Sequence, residues 1–249
     1  MRVVHSIWLR QIKRYYRSRS RMIGYLGQPL LFLLAFGYGF GSIYQRAGEG
    51  NFIQFLSPGI ISMSVLFTAV FSGVELIWDR QFGFLKETLA APVPRYKIVL
   101  GRTLGGATVA TIQGMIVLVL TLLFGFRPEN LYFVPFAFIF VFLIAFLYTA
   151  LGTAIASTLK DLQGFQLIMN FLVMPTFFLS GALYPLTGLP AVMRTVTRLN
   201  PLSYGVDAVR SLMISNPSNF GIITDLSVVL IAGLIVMSIG TYLFSKIEA

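Results

Sequence analysis

Read as hydrophobic and polar positions, the chain is a succession of long apolar windows separated by polar breaks. The windows are Met22–Gln45, Gly50–Val74, Thr103–Phe126, Asn130–Leu159, Leu162–Met193 and Leu226–Ser245, and none contains a charged side chain. A helix rising about 1.5 Å per residue needs about 20 apolar residues to cross a hydrocarbon core of about 30 Å. Every window reaches that length. The pattern predicts an all-α membrane protein with six transmembrane helices, at 22–45, 50–77, 103–126, 130–159, 162–186 and 225–245, forming one transmembrane domain over 1–249. Segments of about ten residues with alternating polarity, the mark of a transmembrane barrel, are absent.

Charge sets the orientation. Residues 1–21 carry Arg2, Arg10, Lys13, Arg14, Arg17, Arg19 and Arg21, too long a stretch for the charged start of a signal peptide, and no small-residue cleavage site follows the first window. With six spans, the side holding both termini collects 14 lysines and arginines and the other side five. Positive loops stay inside, so both termini are expected in the cytoplasm. The net charge of +10 is thereby explained by topology, and nucleic acid is not needed as a partner. Within the leader, Val4, Ile7, Trp8, Ile12 and Tyr15 share one helical face, as in an amphipathic helix lying on the inner leaflet. A purely topological anchor is compatible with the same residues.

Composition agrees with the windows and removes several chemistries. The chain is 56% hydrophobic and 11% charged, against roughly a quarter charged in globular domains. It has no cysteine, so no disulfide, thiolate metal site or cysteine nucleophile, and His5 is its one histidine. No G-x-x-x-x-G-K-[ST] phosphate loop occurs. A proton- or sodium-coupled carrier usually buries an ionisable group near mid-membrane; Glu75, at the inner end of the second span, comes nearest, and a place among headgroups or beside Arg80 accounts for it. Gly37 with Gly41, and Gly101 with Gly105, have the spacing that lets helices approach closely. Pro175 is expected to kink the fifth span.

Two breaks are long. In 78–102, a helix from Asp79 would place Phe82, Leu85 and Leu89 on one inward stripe, flanked by Asp79, Lys86 and Glu87, with Phe84 on the opposite side and Gly83 keeping the surface beside it open. Ala91-Pro92-Val93-Pro94 ends that helix and the chain restarts at Arg95. A solvated loop helix fits the pattern; a docking element, one apolar anchor ringed by charges, fits it more sharply. In 187–224, Asn200 followed by Pro201 is a helix start. Val192, Val196 and Leu199, then Leu202, Val206, Val209 and Met213, mark two short amphipathic helices dipping into the outer leaflet, and Asp207 with Arg210 is expected to be a local ion pair.

The segments "FLSPGIISMSVLFTAVFSGVELIWDRQFGFLKETLAAPVPRYKIVLGR", "FFLSGALYPLTGLP" and "LNPLSYGVDAVR", in that order and within a six-span layout, resemble the ABC-2 family of ABC exporter permeases, its drug-resistance and nodulation-factor branch most of all. The resemblance implies a non-enzymatic half-transporter that pairs with a second copy in a prokaryotic inner membrane, two separate ATPase subunits that bind ATP and magnesium, and no cofactor in this chain. It implies a connecting helix at Val3–Ser20 and an ATPase-coupling helix at Asp79–Ala90, with Asp79, Arg80, Gly83, Phe84, Leu85, Lys86, Glu87, Pro92 and Arg95 at the interface. Re-entrant outer helices would lie within Thr187–Ile214, closing the exit with Tyr184, Pro185, Asn200, Pro201, Tyr204, Asp207 and Arg210. The expected function is export of an amphiphile, whether drug, lipid or lipid-linked saccharide; a passive channel or membrane scaffold is the competing expectation.

Overall fold

The structure is a computed structural model that describes residues 2–46, 51–90, 92–159, 161–214 and 217–247. Residues 47–50 and Lys160, at the breaks between windows, Ala91 of the expected helix stop, and residues 215–216 of the outer break lie outside the described residues. Of the described residues 83% are helical and none is in a strand. In chain order the helices are α1 (Arg2–Arg17), α2 (Arg19–Gly39), α3 (Gly41–Arg46), α4 (Phe52–Phe71), α5 (Val74–Gln81), α6 (Phe84–Ala90), α7 (Arg95–Leu123), α8 (Val134–Thr158), α9 (Leu162–Phe178), α10 (Ala191–Leu199), α11 (Pro201–Met213) and α12 (Ile222–Ser245).

Among the described residues five stretches are long and apolar enough to cross a membrane: Met22–Gly39, Phe52–Gln81, Arg95–Leu123, Leu131–Thr158 and Ile222–Ser245. The fifth window behaves differently from its expected extent of 162–186. Helix α9 has 17 residues, about 26 Å at 1.5 Å each, and stops at Phe178. Pro175 lies in its last turn, and Gly181 at φ +75° then turns the chain, a conformation glycine adopts at little cost.

Helix α4 is the centre of the bundle. Of the best 18-residue window in the α4–α5 stretch 78% is buried, against 17% for α2 and for α12, so the last two form the periphery. Helices α2, α7, α8 and α11 surround α4. Backbones come closest at three glycines: a Cβ on Gly152 of α8 would strike the Val70 carbonyl of α4, one on Gly73 would strike the Gly152 carbonyl, and one on Gly59 would strike the Ala182 carbonyl. Only glycine lets the chains meet there.

Helix α1 lies lengthwise along α7, both running in the same direction. Val4 and Ile7 sit over Gly101, Gln11 sits over Gly105, Trp8 Nε1 donates to Thr108 Oγ1 at 3.0 Å and Tyr15 Oη donates to Gln113 Oε1 at 2.5 Å. The small residues Gly101 and Gly105 therefore do admit a close neighbour, and that neighbour is α1. Its apolar face covers α7, while Arg2, Arg10, Lys13 and Arg17 remain exposed.

Candidate functional site

The charged break between α4 and α7 is built around one carboxylate. Asp79, in the last turn of α5, is 1% exposed and receives Arg10 Nη2 at 2.5 Å, Arg14 Nη2 at 3.2 Å and the guanidinium of Arg102. Arg14 Nη1 also reaches Glu75 Oε2 at 3.3 Å. Burial works against the charge on Arg14, but Glu75 and Asp79 beside it outweigh that and raise its pKa. The cluster ties α1, α5 and α7 together. Asp79 is thus a buried keystone and not a flanking charge facing water.

Arg80 and Arg95 also turn inward. Arg80 donates to the carbonyls of Leu159 at 2.7 Å and Ser157 at 3.2 Å, at the C-terminus of α8. Arg95 donates to those of Ser245 at 2.5 Å and Ile247 at 2.8 Å, at the C-terminus of α12. The last carbonyls of a helix lack internal partners and carry partial negative charge, so each cation satisfies a helix end.

A single helix from Asp79 does not form. Gly83 has φ +82°, and the chain breaks there between α5 and α6. The break resets the helical phase, so Phe82 does not join the inward stripe: it is 73% exposed, while Leu85 is buried at 2% and Leu89 packs against the core. Phe84 is 51% exposed, and Lys86, Glu87 and Pro92 are exposed beside it. The surface at this end is two aromatic rings, one charge of each sign and a proline, pinned from beneath by Leu85.

At the opposite end, α11 is almost entirely buried. It packs into the bundle against α4, α8 and α12 and presents no face to lipid as its pattern led one to expect. Asn200 caps it as expected, accepting from Leu202 N at 3.0 Å, and also donates to the Thr176 carbonyl of α9 at 2.7 Å. Pro201 occupies the first turn. Tyr204 Oη donates to the Arg198 carbonyl at 2.8 Å, and its ring centroid lies 4.5 Å from that of Phe220. Tyr184 and Pro185 are half-buried in the turn after α9.

Asp207 and Arg210 form no ion pair with each other. Asp207 accepts from Ser218 Oγ at 2.9 Å, Asn219 N and Nδ2 at 2.6 Å each, and Phe220 N at 3.2 Å. Arg210 stacks on the Phe55 ring at 3.9 Å and donates to the carbonyls of Phe55, Gly181 and Ala182 at 3.3, 3.0 and 3.1 Å. Each charge fastens a different irregular segment onto α11. Sequence reasoning also passed over Asp225, which is 0% exposed and whose Oδ2 lies 2.9 Å from Ser218 Oγ, the one hydroxyl hydrogen being shared between Asp207 and Asp225; an acid in a helix's first turn is the signal that marks it. Among the described residues no group of three His, Cys, Asp or Glu side chains could hold a metal ion.

Fold and site together define an integral, multi-pass helical membrane protein whose buried charges gather at the two ends of its bundle. Within that class the chain belongs to the ABC-2 type transporter family, which residues 2–214 match. It is similar to nodulation protein J of Rhizobium leguminosarum bv. trifolii, with 26% identity over 85% of this chain and 81% of that protein. The ycf38 transport permease of Pyropia yezoensis is 30% identical over 87% of this chain and 76% of its own length. The inner membrane transport permease YadH of Escherichia coli (strain K12) is 28% identical over 82% and 80%. The function is accordingly transport, as a permease of this family.

Proposed function

We propose that the chain is the membrane half of an ATP-driven exporter, moving an amphiphilic molecule (drug, lipid or lipid-linked saccharide) outward across a prokaryotic inner membrane. It does no catalysis itself; ATP and magnesium belong to a separate ATPase, two copies of which serve two copies of this chain. The observation that carries this reading is α6. A seven-residue helix that exposes Phe84, Lys86 and Glu87 around a buried Leu85 is too short to be stable alone. Here it is held by its neighbours and offers an aromatic anchor ringed by charge, as a groove on a partner requires. The Asp79 cluster ties the adjoining helix rigidly to α1 and α7, so force applied at α6 is delivered to the bundle.

In this reading α1, α6 and the C-terminus are cytoplasmic, on the side with 14 of the 19 lysines and arginines. Helix α9 is the fifth of six spans, its shortness met by local thinning of the bilayer, and the turn after it, with α10 and α11, closes the outer end. Pairing of two copies is favoured by α9 itself, which exposes Gln163, Gln166 and Asn170 along one side. Unpartnered polar groups are costly in hydrocarbon, and a second copy or a shared polar path would cover them.

The test is affinity purification from native membranes in mild detergent, with assay of the eluate for a soluble ATPase and for ATP hydrolysis. A stoichiometric, active partner supports the exporter. The same preparation in lipid nanodiscs with neither partner nor hydrolysis would favour a passive channel or scaffold. In the assembled complex, Phe84→Ala with Glu87→Ala is expected to lower substrate-stimulated hydrolysis several-fold without changing membrane insertion.

A further inference from the structure

Helix α10 separates two cavities of opposite chemistry. On one flank a cleft of about 570 Å³ runs down between α8, α9 and α12, its walls including Leu147, Phe171, Leu172, Val196, Leu199 and Ile235. That volume lies in the range of small-molecule sites. On the other flank a pocket of about 240 Å³ is lined by Arg194, Thr197, Arg198, Thr187 and Asn219 among others.

The smaller pocket is cationic and incompletely satisfied. Among the described residues no carboxylate lines it, and neither Arg194 nor Arg198 is in an ion pair. Arg194 uses Nη2 on the Leu189 carbonyl at 3.2 Å, which leaves other donors of its guanidinium fork open. Thr197 is 2% exposed, and its hydroxyl faces that of Tyr184, so the two arginines are the open donors of the pocket. The nearby Asp207 is already engaged by Ser218, Asn219 and Phe220. Val192 and Leu199 are 76% and 78% exposed, so α10 also has an apolar face open to lipid, at the end of the bundle opposite α1.

We propose that a single phosphate-headed, anionic lipid sits astride α10, its phosphate on Arg194 and Arg198 and its acyl tail in the cleft below. Guanidinium forks match phosphate oxygens in geometry as well as charge, and the apolar cleft suits a hydrocarbon chain. An anionic head is favoured over a zwitterionic one because the pocket has no carboxylate to receive an ammonium group. The site needs only α10 and its neighbours; it does not rest on the exporter reading and holds whether the lipid is cargo or resident.

The test titrates the full chain in maltoside detergent with dioctanoyl phosphatidylglycerol, dioctanoylglycerol or inorganic phosphate, reading bound ligand by native mass spectrometry. The phosphatidylglycerol is expected to bind one per chain, at least tenfold more tightly than the phosphate-free diacylglycerol. Arg194→Gln with Arg198→Gln is expected to weaken it at least tenfold, with an unchanged thermal unfolding profile. Leu199→Trp, which fills the cleft from an exposed wall, tests the tail independently and is expected to weaken lipid binding about tenfold. Equal binding by wild type and the arginine double variant, or equal binding of the two glycerolipids, overturns the head site. Unchanged affinity in Leu199→Trp overturns the tail site, and inorganic phosphate displacing the lipid at equal concentration means a free-anion site instead.

Discussion

Replacing Asp79 with alanine removes the carboxylate in direct contact with Arg102, whose side chain is 5% exposed, and leaves only the weaker, longer-range pull of Glu75 among the described residues. Deleting one partner of a buried pair leaves an uncompensated charge and costs about 3–5 kcal/mol. Arg10 and Arg14, whose side chains are 42% and 34% exposed, can turn to water, and pairs of that kind contribute only about 0–1 kcal/mol each. Nearly all of the loss therefore comes from Arg102. For a chain of this size about 2–4 °C accompanies each kcal/mol, so Asp79→Ala is expected to lower the thermal unfolding midpoint by about 6–20 °C, read by circular dichroism in detergent. The paired variant Asp79→Leu with Arg102→Met replaces the ions with apolar volume and is expected to recover most of it, because a well-packed apolar substitute for a buried ion pair is often neutral or stabilising. A fall of less than about 1 kcal/mol in Asp79→Ala, or no recovery in the pair, would refute the view that Asp79 works by compensating Arg102.

Three further outcomes are expected. Gly152→Ala drives a methyl into the Val70 carbonyl and costs about 1–3 kcal/mol, whereas Gly24→Ala, with nothing within 4 Å, gains up to about 1 kcal/mol of helix propensity; thermal unfolding compares the two. Arg210→Met strips three carbonyls of a charged donor, each such bond being worth about 1.5–3 kcal/mol, and limited proteolysis is expected to cut the turn between α9 and α10 faster. Gly83→Ala, strained by about 1 kcal/mol at positive φ, is expected to lower coupled ATP hydrolysis more than overall stability, since α6 alone depends on that turn.

Much of the architecture was legible because hydrophobicity is local and additive along a helix. Five of the six windows became helices long and apolar enough to span, and the Asn200-Pro201 start of α11 formed as its residue types dictate. Of the coupling region, Leu85 inward with Phe84, Lys86 and Glu87 outward was readable from spacing. The break that displaced Phe82 was present in the sequence as Gly83, but a glycine does not announce whether its φ will be positive. The partners of the charges could not be read at all. Asp79 meets Arg10 from 69 positions away and Arg102 from 23, and Asp207 and Arg210, three apart, form no ion pair and take their hydrogen bonds elsewhere. In a nonpolar bundle a charge is placed by whichever donors the packing brings to it, because leaving it bare costs more than any local preference returns. The sequence alone determined where the chain could enter hydrocarbon; only the tertiary structure decided which charges hold it together, since those contacts exist only after the helices have packed.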